Sequence, residues 1–189
     1  MTAMSLTGMS RPFTVDDLET MPDDGRRYEL IDGELLVSPA PGWPHGEVSL
    51  AIAVLLRGAG PREFRTLHAP FGVRPDRANE VQPDVLVARY ADLTEKFLPA
   101  APVLTVEVIS PTSRLHDANL KKAFYERLGV PRYWLVDPDR DEPALTVFAL
   151  SADGVYERVA HVVGDQPYDA DEPFAVRVVP SDLVAGLRP

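Results

Sequence analysis

The sequence predicts an α/β fold built on a mixed sheet, and three observations lead there. Short β-branched runs alternate with stretches of helical periodicity, Asp-Gly hairpin signals stand near both ends, and the elements read αββαβββαβ followed by further strands. The 189 residues, 45% of them hydrophobic, suit one domain with a sizeable core. Residues 1–12 show no periodicity and contain Ser, Thr, Gly and Pro. The expected division is therefore a flexible tail over 1–12 and a single domain over 13–189.

Each element has a local reason. Thr14 with Asp16 and Asp17 behind it resembles a helix start, giving a short helix to about Thr20. Arg27–Ile31 and Glu34–Ser38 flank Asp32-Gly33, a strong two-residue hairpin signal. The Pro-rich stretch from Pro39 to Pro44 closes that unit. His45–Arg57 carries apolar residues at 48, 51, 52, 55 and 56, helical spacing with one buried face, and Gly58 with Gly60 stops it. Strands are expected near Glu63–Leu67, Phe71–Arg74, Asp84–Ala88 and Val103–Ile109. Thr112 or Ser113 can cap a helix that runs to Leu128, with Gly129 as its stop, and Arg132–Val136 is the next strand. Ala144–Leu150, Val155–Val162 and Phe174–Val178 alternate like additional antiparallel strands, with Asp153-Gly154 as a hairpin turn. Ser181 begins a last short helix.

Composition removes several classes of function. With no cysteine there is no disulfide, thiolate-bound zinc, iron–sulfur cluster or thiol nucleophile, so any metal must use oxygen or imidazole ligands. Such ligands suit Mg, Mn or Ca better than soft metals. No long apolar run or export signal is visible, which sets the expectation of a cytoplasmic protein without membrane partners. The net charge of −10 weakens the case for nucleic acid without closing it, because phosphate binding depends on local patches. Residues 137–189 hold 11 acids against 4 bases, net −7, leaving −3 for the rest.

The clue to chemistry is Glu107, a lone carboxylate inside Leu104-Thr-Val-Glu-Val-Ile109, a segment otherwise built for a buried strand. A buried carboxylate is normally paired, hydrogen-bonded or metal-bound. Asp84 opens another such strand directly after Pro83. Two acids on neighbouring buried strands suggest a divalent cation. On the helix ending at Leu128, Lys121 shares a face with Phe124, Tyr125 and Leu128, whereas Lys122 stands four residues before Glu126 as in an ordinary surface pair. Asp84, Glu107 and Lys121 would make a metal site with an adjacent cation, a combination suited to hydrolysing phosphodiesters.

These residues carry a family resemblance. Gln82-Pro-Asp84-Val, Val106-Glu107-Val-Ile-Ser-Pro111, Asp117 with Lys121 and Tyr125, and Gly129-Val-Pro-Arg-Tyr-Trp-Leu-Val-Asp137 resemble the Uma-type restriction endonucleases of the PD-(D/E)XK nuclease superfamily. Tyr28-Glu29-Leu-Ile-Asp-Gly-Glu-Leu35 and the Pro-rich segment leading to His45 fit the same family, so the resemblance spans roughly residues 13–180. It implies a restriction-endonuclease-like αβββαβ core and Mg- or Mn-dependent endonuclease cleavage, with DNA as partner. It assigns Asp84 and Glu107 as metal ligands, the main-chain carbonyl of Val108 as a further ligand, and Glu29 as an acid that joins the site. The superfamily lysine belongs two residues after the acid, where this chain has Ile109. Lys121 would then serve from the helix.

Each residue also has a plainer reading. Asp84 fits a strand-entry turn, Glu107 a structural ion pair with an arginine, Lys121 a lysine snorkelling at the helix rim, and Glu29 a solvent-facing strand position. A catalytically inactive nuclease-fold binding module is the alternative function. His45 reads as an incidental helix-start histidine. Tyr133-Trp134 fits core or dimer surface, and with the C-terminal strands makes a homodimer reasonable. Arg74, Arg77, Arg114, Lys122 and Arg127 could form a phosphate track.

Overall fold

In the computed structural model, which describes residues 11–109 and 116–187 with the side chains of 116–118 excepted, the first hairpin forms at Asp32-Gly33. Both residues take positive φ, 53° and 78°, as a two-residue primed turn requires. Before the hairpin stands α1 (Val15–Leu18), a single turn shorter than expected. The Asp17 carboxylate accepts hydrogen bonds from the Thr14 main-chain N–H and hydroxyl and from Arg11. The hairpin joins β1 (Arg26–Ile31) to β2 (Glu34–Pro39). Then comes α2 (Trp43–Ala59), with Pro44 in its first turn and Gly58 still helical.

The chain continues through β3 (Phe64–His68), β4 (Gly72–Asp76), β5 (Asn79–Val81), β6 (Val85–Arg89), β7 (Phe97–Leu98) and β8 (Leu104–Val108). After α3 (His116–Leu128) follow β9 (Arg132–Asp137), β10 (Ala144–Leu150), β11 (Tyr156–Val163), β12 (Tyr168–Ala170), β13 (Val176–Val178) and α4 (Pro180–Leu183). β5, β7 and β12 were not expected, since strands of two or three residues show no alternation to read. The proposed caps Thr112 and Ser113 lie outside the described residues, as do residues 1–10 of the proposed tail. Its last two residues, Arg11 and Pro12, lie against the fold at Asp17 and Gly33.

A six-stranded sheet has the order β11-β10-β9-β8-β6-β3. It is mixed because β8 and β9 are parallel and its other pairs antiparallel. Along the chain α2, β3, β6, β8, α3 and β9 make the expected αβββαβ order, and β10 and β11 are the added antiparallel strands. A second sheet, β2-β1-β5-β4-β7, carries the N-terminal hairpin.

The central strands are buried on both faces, which is why they read as nearly continuous apolar runs. Val85, Val87, Leu104, Val106 and Val108 point toward Val48, Ile52, Ala53 and Leu56 of α2. Leu86, Ala88 and Tyr133 point the other way, toward Phe124 and Tyr125 of α3. Period-2 alternation along β8 therefore sends Thr105 and Glu107 to the α3 side. Among the described residues no helix is long and apolar enough to cross a membrane.

Candidate active site

The β6–β8 register runs Val87↔Leu104, Leu86↔Thr105, Val85↔Val106. Continued by one residue, it sets Asp84 opposite Glu107, and directly opposed residues of antiparallel strands share a face. Asp84 sits where that ladder ends. Its Oδ2 accepts a hydrogen bond from the Val108 main-chain N–H at 2.9 Å, tying the aspartate to the strand that carries Glu107.

Each acid has a protein cation. Arg27 Nη1 lies 3.1 Å from Asp84 Oδ1, and His45 Nε2 lies 2.9 Å from Asp84 Oδ2. An ionised carboxylate only accepts, so the histidine proton is on Nε2. Lys121 Nζ lies 2.8 Å from Glu29 Oε1 and 3.3 Å from Glu107 Oε1. Tyr125 donates its hydroxyl proton to Glu107 Oε1 at 2.7 Å, and Gln82 donates its main-chain N–H to Glu29 Oε1 at 2.7 Å. Glu29, Asp84, Glu107 and Lys121 are 3%, 4%, 8% and 7% exposed.

This burial sets the electrostatics. Loss of water, reinforced by the negative charges of Asp84 and Glu29, pushes Glu107 up to about 7, with Lys121 and the Tyr125 hydroxyl opposing. Burial alone would also raise Asp84, but the hydrogen bond and charge of His45, with Lys121 and Arg27, hold it well below the usual carboxylate range. Burial works against the Lys121 ammonium, yet Glu107, Glu29 and Asp84 outweigh it and raise its pKa above the ordinary lysine value. The floor beneath is aromatic: Tyr125 and Tyr133 have ring centroids 5.7 Å apart, and Tyr133 stacks on Phe148 and Tyr156. Among the described residues, the buried Tyr133 hydroxyl and its cross-strand neighbour Thr105 Oγ1 have no hydrogen-bond partner.

Three plain readings are corrected. Glu29 is not solvent-facing, Lys121 does not snorkel, and the partner of Glu107 is a lysine with a tyrosine in place of an arginine. The proposed phosphate track does not assemble as a free surface. Arg74 pairs with Glu80 and Glu19, Arg77 with Asp16, and Arg127 with Asp32. Lys122 stands 4.1 Å from the Phe148 ring centroid, while Glu126 accepts the Tyr156 N–H. Arg114 lies outside the described residues.

Arg27 and His45 were missed as site residues. A signal existed for Arg27, which shares a face of β1 with Glu29 by period-2 alternation. For His45 only its place after the Pro-rich segment pointed the way. An open cleft of about 350 Å³ passes Arg27, lined also by Arg26, Tyr28, Arg74 and Gln82.

An αβββαβ core with opposed acids at the end of its central strands defines a restriction-endonuclease-like fold. A crystal structure described as a "putative nuclease belonging to DUF820" from Anabaena variabilis shares it, with TM-score 0.72 over 94% of this chain and 100% of the other. At 20% identity that likeness concerns the fold alone. The Uma2 family model, described as "Putative restriction endonuclease", matches residues 15–180, and the chain belongs to that family. This membership supports a nuclease, a hydrolase by class. No curated protein matches the chain.

Proposed function

We propose that the chain is a metal-dependent endonuclease that hydrolyses phosphodiester bonds in DNA, within a single domain over residues 13–189. The observation that carries this reading is the opposed pair Asp84 and Glu107, with the Lys121 ammonium 3.3 Å from Glu107. The donors fit Mg or Mn, which prefer hard oxygen ligands. Mg is commonly held by one or two carboxylates with phosphate and water completing the set. Two acids are therefore enough, although among the described residues no group of three His, Asp or Glu is arranged to hold an ion by itself.

Asp84 and Glu107 would hold the ion, with the Val108 carbonyl as a further donor. When bound, such an ion supplies Lewis acidity and lowers the pKa of water. Lys121, with its raised pKa, stays an ammonium at neutral pH and contributes charge against the developing phosphate negative charge instead of accepting a proton. Glu29, 2.8 Å from the same ammonium, anchors it beside Glu107. Arg27 and His45 keep Asp84 ionised and aimed, and Tyr125 fixes the Glu107 carboxyl.

A second reading, a nuclease-fold binding module without cleavage, has one supporting observation: every acid of the site already has a protein cation. The test is cleavage of plasmid and single-stranded DNA with Mg or Mn, comparing wild type with Asp84→Ala and Glu107→Ala. Loss on the order of 100-fold or more in both variants and with chelator is expected. Cleavage that survives both substitutions refutes the assignment. Binding of DNA without cleavage by wild type supports the second reading.

A further inference from the structure

Helix α2 buries one face and leaves the other bare. Trp43 is 64% exposed, Leu50 56% and Val54 62%. With Gly46 and Arg57, also exposed, they form a stripe at spacings of three, four, four and three. In a chain with 25% charged residues, the exposed positions of this stripe carry no charge before Arg57, and the one acid beside them, Glu47, is half-buried against Gly186. Tyr133 and Trp134, read from the sequence as core or dimer surface, are fully buried and belong to the core.

The stripe is complementary to itself. In two antiparallel copies of α2 related by a two-fold axis at Leu50, residues whose numbers sum to 100 face each other. Trp43 then meets Arg57, Val54 meets Gly46, and Leu50 meets its own copy. A guanidinium over an indole is a favourable cation–π pair. Arg140 stands 5.8 Å from the Trp43 ring centroid, and an indole has a second face to offer. At Gly46 a Cβ would meet nothing within 4 Å, so the notch that Val54 would enter is open. From Trp43 to Arg57 the stripe runs about 21 Å at 1.5 Å per residue, a length suited to a small isologous contact.

We propose that the outward face of α2 is a dimer interface for a second copy of this chain, with Leu50 on the two-fold axis. The proposal stands independently of the nuclease reading.

Sedimentation velocity of the full chain, from about 1 to about 100 µM, reads the result directly. Wild type is expected to move toward twice the 20.8 kDa chain mass as concentration rises. Leu50→Glu and Leu50→Lys, each placing like charges on the axis, should weaken dimerisation on the order of 100-fold. An equimolar mixture of the two should re-associate, because Glu then faces Lys. Both substitutions are at an exposed position, and circular dichroism checks folding. Val54→Glu, expected to abolish the dimer in the same way, replaces either variant that does not fold. A wild type that stays monomeric at the highest concentration, variants that dimerise as tightly as wild type, or a mixture that stays monomeric would each overturn the proposal.

Discussion

The Lys121 ammonium lies 2.8 Å from Glu29 and 3.3 Å from Glu107, so one cation on α3 ties the N-terminal hairpin to the central strand β8. Removing it leaves two buried carboxylates without their partner. Lys121→Met is expected to destabilise the fold by about 3–5 kcal/mol, the usual cost of breaking a buried ion pair from one side. The measurement is urea unfolding at pH 8. Adding Glu29→Gln should recover part of the loss, and no recovery would mean that the two residues are not coupled.

Glu107 makes stability depend on pH in the direction opposite to most carboxylates. Its carboxyl is raised from 4.5 to about 7 in the folded chain. Between those values the native state keeps a proton that the unfolded chain has released. Stability from this group is therefore full below pH 4.5 and is lost as pH rises through 7, with a slope of at most about 1.4 kcal/mol per pH unit. Asp84, held below its ordinary 3.8, acts the other way and only in more acidic solution. Urea midpoints between pH 4.5 and 8 should fall for wild type and stay flatter for Glu107→Gln. Equal slopes in the two proteins would exclude Glu107 as the source.

Tyr125 tests the same carboxyl from its other neighbour. The 2.7 Å hydroxyl bond favours the ionised form of Glu107, so Tyr125→Phe should move the pH profile of cleavage to higher pH. Above pH 8 it should also cost about 1.5–3 kcal/mol of stability, the range for hydrogen bonds to charged groups. A cleavage profile that does not move would reduce Tyr125 to a packing role.

Gly33 supports Glu29 from a distance. It holds φ at 78°, and a Cβ there would stand 2.7 Å from the Pro12 Cβ. Gly33→Ala should cost about 1–3 kcal/mol from the left-handed backbone, with the clash in addition. Thermal unfolding measures the loss, and a neutral result would show that the turn and Pro12 can move apart freely.

Much of this molecule was legible residue by residue. Asp32-Gly33 specified the hairpin because few dipeptides accept two left-handed residues in a row. The apolar positions of 45–57 located α2, and the run 104–109 located β8. The acids Asp84 and Glu107 drew notice because a charge in a buried strand requires compensation. Other parts were not legible because their signals are weak or absent locally. β5, β7 and β12 are too short for periodicity, and His45 carries no mark that separates a site histidine from one at any helix start.

By itself, then, the sequence determined the types of the longer elements, the buried character of the strands that carry Asp84 and Glu107 and the face of α3 that carries Lys121, all of which follow from backbone preference and periodicity within a few residues. Only the tertiary structure decided who compensates whom. Arg27, Glu29, His45, Asp84, Glu107 and Lys121 come from four elements and the bend before β6, and register and packing bring them together. Pairing energies of buried charges depend on distances of a few ångströms and on the exclusion of water, and neither quantity exists until the sheet and both helices are in place.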